Sequence, residues 1–515
     1  MPKARVFFWS CILCIAGIGS ASFFTAYPVH IPASILGGAA LLISLHSVRR
    51  WIRASHHRWI RAPHHGQNIA LLCCMAAFAA GMLRGNQVEN RWQRQRDAYI
   101  TKFQNQKRVD ILAIIAKRSR NANGYTYILE DVDAMPSMRL LFFADAYARF
   151  APGERIMVRG ARANLEKTFE SFLRQENAAG TLSFPDSVTH LGVVCDAFMV
   201  SGGETCLRYR ISGALGTLKE SFEAGLGATL PEPHASLAAG LLTGTRTDLP
   251  RELQDAFRKV GLSHIVAVSG YNVTIVVLAA ATLLGFLALP RSLTFLISTI
   301  FLVLFAIMTG GTASVARAAL MGFLVLLAAH SWRLYNGKHA IAFAGSLMVL
   351  QNPMLIRYDL GFLLSFLATA GLLVLYPLLV ERCRNIPIPA ALKDIMLQSI
   401  AAQLFVLPVL IIATGLVSLI FLFSNLVILP LLPPTMFFSL LAGIGSFFGD
   451  TAGYILAFPA YTLLRFELSA VDILAQIPYG AIGIASHTLR WILGIASACG
   501  VLLLLKKLKN RYQEL

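Results

Sequence analysis

Charge is what this 515-residue chain has little of: 14% of its residues are Asp, Glu, Lys or Arg, while 56% are hydrophobic and mean hydropathy is +0.62. A soluble domain carries about 25% charged residues, so an ordinary cytoplasmic enzyme is excluded. Intrinsic disorder is excluded too, because it needs low hydrophobicity. Acidic residues are the scarcest, 27 against 45 Lys and Arg, which leaves a net +18. The sequence has no G-x-x-x-x-G-K-[ST] loop and hence no P-loop motor, no G-x-S-x-G nucleophile elbow, and no histidine- and aspartate-rich metal motif. Its eight cysteines show no metal-ligand spacing. Cys11, Cys14, Cys73, Cys74, Cys383 and Cys499 lie in or beside apolar runs, where a thiol behaves as a small hydrophobe. Only Cys195 and Cys206 sit in polar sequence.

What is present is apolar runs of membrane length. About 20 mostly apolar residues span a bilayer, and residues 7–27, 29–45 and 68–83 qualify. The basic start (Lys3, Arg5) has no clean small-residue cleavage site after it, so the first run reads as a retained anchor. Arg49, Arg50, Arg53, Arg58 and Arg61 crowd the loop before the third run. The positive-inside rule puts that loop and the N-terminus in the cytoplasm and sends the chain out after residue 83. His56, His57, His64 and His65 share this basic stretch, where the arginines repel a metal cation, and read as a solvated loop.

From residue 84 to about 210 the character changes. Residues 86–106 are polar and helical in pattern, a stalk; short alternating runs follow at 109–116, 125–129, 138–143 and 155–159, separated by turn residues. Such strands predict a small barrel or sandwich. Outside the membrane a disulfide is chemically allowed, and a Cys195–Cys206 bond is expected at the end of this module over two unrelated buried thiols. The stretch 84–120 holds ten basic and three acidic residues, an excess that the positive-inside rule does not explain for a long exported domain. Basic groups with Tyr125, Tyr127, Phe142, Phe143 and Tyr147 fit phosphate neutralisation plus base stacking, although core packing competes for the aromatics.

Residues 213–263 are helical but not membrane-like. Asp248 and Pro250 mark a start, Leu253, Ala256, Phe257 and Val260 share one face, and Gly261 caps the end: an interfacial helix. Thereafter spans are predicted at 265–289, 292–309, 313–331, 340–355, 361–380, 395–414, 417–430, 435–448 and 491–505, making about twelve with both termini inside. Arg465, Glu467 and Asp472 make 457–477 a second interfacial or re-entrant helix.

Within the bundle, Ser263–His264 and Ser269–Gly270–Tyr271–Asn272 open an otherwise apolar span, and intramembrane polar residues are functional by default. Arg317, one turn into its span, needs a partner or a wet cavity, and Gln403, Ser424 and Asn425 add neutral polar groups. Pro408, Pro430, Pro433 and Pro434 break helices nearby, which is tolerated where backbone lines a cavity. Kinks and helix–helix adhesion are the competing reading of each.

The run GLLTGTRTDLPRELQDAFRKVGLSHIVAVSGYNV resembles the signature of the ComEC competence-channel family, and GGTASVARAALM (310–321), NPMLIRYDLGFLLSFLATAGLL (352–373) and SIAAQLFVLPVL (399–410) are further matches in order. The resemblance implies a polytopic α-helical membrane protein (about 12 transmembrane helices) with an inserted small all-β OB-like extracytoplasmic domain. Its parts would be three N-terminal spans (1–83), the OB-like domain with its stalk (84–212), interfacial helices (213–263) and a channel bundle (264–515). It implies an inner-membrane channel that passes one DNA strand inward during natural transformation, with no enzyme activity or cofactor of its own. The expected partners are single-stranded DNA, a periplasmic DNA receptor, a cytoplasmic helicase or strand-binding protein, and membrane lipid.

Expected DNA contacts are Lys117, Arg118, Arg120, Tyr125, Tyr127, Arg155 and Arg159. Expected channel-lining residues are His264, Ser269, Asn272, Arg317, Asp359, Ser365, Gln403 and Asn425. The sequence departs from the family at Asn272, where a second histidine is common, and at Leu363, where glutamine is. A C-terminal metallo-β-lactamase-like domain found in many members is not expected, so a nuclease would be a separate protein. Rival readings are a transporter of another anionic polymer or lipid-linked precursor, a membrane hydrolase using His264 and Ser269, and a scaffold without a conduit.

Overall fold

The computed structural model describes residues 8, 10–12, 14–16, 18 and 64–514, except 105, 107, 122–123, 132–138, 146–149, 165–169, 177, 194–202, 246–248, 267–269, 271, 274, 277–283 and 285–288. The second expected span, the basic loop, Cys195 and Ser269 therefore lie outside the described residues.

The third apolar run and the polar stalk are one helix, α1 (His64–Phe103), 40 residues without an internal proline to break it. Its polar half is docked. Trp92, Arg96 and Tyr99 share one face and donate to the carbonyls of Ala178 (3.0 Å), Ala179 (2.8 Å) and Thr181 (2.8 Å) in turn.

Those carbonyls lead into a closed barrel of β1 (Val109–Asn121), β2 (Gly124–Asp131), β3 (Arg139–Asp145), β4 (Glu154–Asn164) and β5 (Gly180–Ser183). The ring runs β1-β2-β3-β5-β4 and closes through β1–β4, with β3 and β5 parallel. A sixth strand, β6 (Ser187–Val193), adds to the outer side of β4. The inward positions alternate, as a half-buried strand requires: Ala113 and Ile115, Tyr127 and Leu129, Leu140 and Phe142, Ile156 and Val158 are all fully buried, with Tyr99 of α1 as the plug. The four expected strands are present; β5 was missed because four residues, GTLS, carry too little period-two signal. Gly160 (φ +66°) sits at a bulge between Val158 and Ala161, so that Arg159 and Arg162 both remain on the outer face.

Helix α2 (Glu170–Gln175) packs on this barrel; α3 (Gly203–Thr229), α4 (His234–Thr243), α5 (Arg251–Lys259) and the short α6 (Ser263–Val266) follow. Cys206 falls inside α3, beyond the strands. The amphipathic α5 is as expected: Pro250 precedes it, Leu253, Phe257 and Val260 are buried, and Gly261 (φ +80°) ends it.

The bundle consists of α7 (Arg291–Met308), α8 (Ala313–His330), α9 (Gly337–Gln351), α10 (Leu355–Tyr358), α11 (Leu360–Val374), α12 (Tyr376–Arg382), α13 (Ala390–Thr414), α14 (Phe421–Ile428), α15 (Leu432–Gly445), α16 (Asp450–Ala475) and α17 (His487–Glu514). Among the described residues five helices are long and apolar enough to cross a membrane: α7, α8, 360–382, α13 and the 487–508 part of α17. Each coincides with an expected span.

Two of the expected spans take a different form. Residues 417–430 and 435–448 fall on α14 and the helix 432–448, a pair bent by 49° around Pro430 that makes a sixth candidate crossing among the described residues if it is one broken span. Residues 340–355 form the 15-residue α9, too short to cross alone. Residues 457–475 belong to the 26-residue α16, which buries Ala460, Leu464, Leu468 and Val471 on one face against α15 and leaves Phe458, Phe466 and Ile473 exposed on the other.

Candidate nucleic-acid interface and polar node

An OB barrel takes oligonucleotides on its β2–β3 face. Here that face is already covered. Ile128 and Leu141 point outward from β2 and β3 yet are buried in a cluster with Trp92 of α1, Leu173 of α2 and Met354 beside α10. Arg174 lies 4.1 Å from the Trp92 ring centroid and pairs with Glu89, closing the edge. Tyr125 and Tyr127, expected to stack on bases, instead face the core; the Tyr127 hydroxyl accepts the Phe150 N–H at 3.1 Å. That expectation is corrected: a fully buried ring has no face for a base.

The expected basic contacts divide in two. Lys117 lies 3.5 Å from the Glu176 carboxylate, and Arg118 pairs with Glu220 of α3 while donating to the Phe150 carbonyl at 3.2 Å. Arg120 is placed opposite Tyr125 in the β1–β2 ladder. On β4, by contrast, Arg155, Arg159 and Arg162 alternate with the buried Ile156, Val158 and Ala161. Arg159 and Arg162 are exposed, and none of the three has a carboxylate partner among the described residues. Arg162 was missed by the sequence reading because the bulge at Gly160 shifts it onto the Arg159 face.

The barrel meets the signature run through a polar cluster. Helix α4 ends at Gly244 (φ +81°), which turns the chain so that Thr243 and Thr245 both donate to Glu223 of α3, the latter at 2.5 Å. Lys219 donates to the Thr243 carbonyl at 3.2 Å and lies 3.8 Å from Glu223. Burial pulls the Lys219 ammonium below its ordinary range, Glu223 restoring part and Arg118 adding to the depression. The partners of this threonine pair were not legible in sequence, since Glu223 reads as an ordinary charge on a polar helix.

In the bundle three separated motifs converge on one side chain. Buried Arg317 donates to the Ser365 carbonyl at 2.7 Å and to the Thr369 hydroxyl, and its guanidinium occupies the space beside Gly270, where a Cβ would lie 2.3 Å from Nη2. Ser365 therefore contributes backbone rather than hydroxyl. Asn272 is buried two residues on, its amide donating to the Leu241 carbonyl at 3.0 Å and tying this segment to α4.

Asp359 caps α11, accepting the Phe362 N–H at 2.9 Å. Asn425 is buried on α14, its Oδ1 without a partner among the described residues, and Gln403 is half-buried on α13. His264 is exposed on α6. No group of three metal-ligating side chains occurs among the described residues.

Comparison with known proteins bears on these motifs directly. The Competence protein family matches residues 241–509. ComE operon protein 3 of Bacillus subtilis (strain 168) is 26% identical over 215 residues, which cover 42% of this chain and 27% of that protein. The chain thus aligns with under a third of that relative's length. No solved structure matches. Since the family match takes in more than half of the chain and contains the Asn272, Arg317 and Asp359 motifs, this chain belongs to the Competence protein family.

Proposed function

We propose that this protein is an inner-membrane channel that carries single-stranded DNA into the cytoplasm during natural transformation, with the barrel on the outer side and both termini inside. The observation that carries the reading is the row Arg155, Arg159 and Arg162 on β4, cations without a carboxylate partner among the described residues, on a barrel joined to a competence-family bundle. Arginines without carboxylate partners suit phosphates, whose neutralisation releases counterions and drives sequence-independent binding.

A polyanion crossing hydrocarbon needs a hydrated, donor-lined path, because an unsolvated charge there costs several kcal/mol or more. His264, exposed on α6, Asn272 and Arg317 supply donors for such a path, and the polar cluster at Glu223 links the barrel to it. Gln403 and Asn425 add neutral polar groups on later helices, the Asn425 Oδ1 as an acceptor with no partner among the described residues. Directional pull is assigned to a cytoplasmic helicase or strand-binding protein, delivery to a periplasmic DNA receptor, and strand degradation to a separate nuclease.

The test is uptake of end-labelled DNA into the cytoplasm of cells with and without this gene, beside cells carrying Arg155→Ala, Arg159→Ala and Arg162→Ala together. Loss in both supports the reading. Undiminished uptake without the gene refutes it, and uptake unaffected by the triple substitution refutes the β4 surface as the entry site.

A further inference from the structure

Glu467 lies within the family match, at a position that the translocation reading does not use. On α16 the residues Ala457, Ala460, Leu464, Leu468, Val471 and Leu474 form one buried apolar face, and Glu467 stands in its middle, 2% exposed. Its carboxyl has one partner among the described residues, the Thr435 hydroxyl of α15, 2.6 Å from Oε1. Thr435 Oγ1 also lies 2.8 Å from the Leu431 carbonyl, the usual back-bond of a helical threonine.

A count of protons decides the state of this pair. A threonine hydroxyl has one proton to give, and an ionised carboxylate and a carbonyl are both acceptors only. With Glu467 ionised, two acceptors compete for one hydrogen. With Glu467 neutral, the acid O–H donates to Thr435 Oγ1, Thr435 O–H donates to the Leu431 carbonyl, and every contact is satisfied.

Among the described residues no counter-charge stands nearby to favour the anion. Helices α14 and α15 and the turn 446–448 carry no ionisable group. The charged residues of α5 (Arg251, Glu252, Asp255, Arg258 and Lys259) are exposed. On α3, Lys219 and Glu223 engage Thr243 and each other, while Glu220 pairs with Arg118. On α4, His234 packs on the Tyr461 ring at 4.9 Å, and on α16 itself Arg465 and Asp472 are exposed.

We propose that Glu467 is a proton-binding site of the bundle, whose bound proton clasps α16 to α15, the second limb of the bent pair. Loss of that proton leaves a bare charge in an apolar seam, and the seam admits water or parts. Ser439, one turn further along α15 and fully buried, its hydroxyl without a partner among the described residues, would be the next group wetted.

The experiment is infrared difference spectroscopy of the full chain in lipid nanodiscs, wild type minus Glu467→Gln, over a pH series. The expected result is a protonated-acid carbonyl band at neutral pH that is absent from the glutamine variant and fades with rising pH, together with faster amide exchange in α15. A carboxylate signature at neutral pH, with no acid band, overturns the proposal. Should Glu467→Gln fail to fold, Thr435→Val assigns the band instead: a shift of the acid carbonyl supports the clasp, and an unmoved or missing band refutes it. No DNA is present, so the outcome is independent of the translocation reading.

Discussion

Gly270 is bare because the Arg317 guanidinium fills the place where its side chain would be, 2.3 Å from an added Cβ. The two residues are 47 positions apart in sequence and lie in different motifs of the family match, and their contact makes those motifs one structural unit.

Gly270→Ala is therefore expected to displace Arg317 from the Ser365 carbonyl. Overpacking of this kind costs about 1–3 kcal/mol. A lowered thermal midpoint in detergent, with DNA uptake reduced in proportion to that seen in Arg317→Met, checks it. An unchanged midpoint would show that the guanidinium moves aside freely.

Phosphate capture by β4 predicts a specific salt signature. Each phosphate contact removed should lower the slope of log affinity against log salt by about 0.7 for single-stranded DNA. Substituting Arg155, Arg159 and Arg162 singly should each shift the slope by up to that amount. Lys117→Ala should shift it less, because Lys117 lies 3.5 Å from Glu176. Fluorescence anisotropy over a salt series on the full-length protein distinguishes the two groups.

The docking of α1 onto the barrel rests on Tyr99 and Gly180. A Cβ at Gly180 would lie 2.2 Å from the Tyr99 ring, so Gly180→Ala should loosen the barrel by about 1–3 kcal/mol. Tyr99→Phe keeps the ring but loses the hydrogen bond to the Thr181 carbonyl, at about 1 kcal/mol. Denaturant midpoints of the two variants should fall in that order.

Alkaline pH offers a separate handle. Burial holds the Tyr99 and Tyr127 phenols above their ordinary range; Arg96 partly offsets it at Tyr99, and the Phe150 N–H bond and Arg118 at Tyr127. In the unfolded chain these groups ionise near pH 10. Their contribution is whole below that value and is lost as pH rises toward the folded one, because the unfolded state gives up its proton first. Amide exchange across β2 and β3 should stay slow to about pH 10 and then accelerate, later in Tyr99→Phe than in the wild type.

Much of this was legible in the chain. Apolar runs of span length located α7, α8, α13 and the helix 360–382, because a bilayer imposes one length on every crossing. The period-three and period-four face of α5 and the alternation in β1 to β4 were readable for the same reason: burial on one side writes itself into local sequence. The bent pair was not, since two short apolar runs flanking Pro430 read alike whether they cross the membrane twice or fold back once.

Sequence by itself determined that the chain is a membrane protein with a basic β module inserted in it, and that Arg317 and Asn272 are polar groups in need of partners, because composition and periodicity are local quantities. Only the tertiary structure decided which partners they have. Arg317 sits beside Gly270 and the Ser365 carbonyl, Trp92 and Leu173 cover the β2–β3 face, Tyr127 points inward, and Glu467 lies buried against Thr435. These are meetings of side chains far apart along the backbone, and the energy that selects them, close packing and the satisfaction of buried polar atoms, exists only once distant segments are brought together.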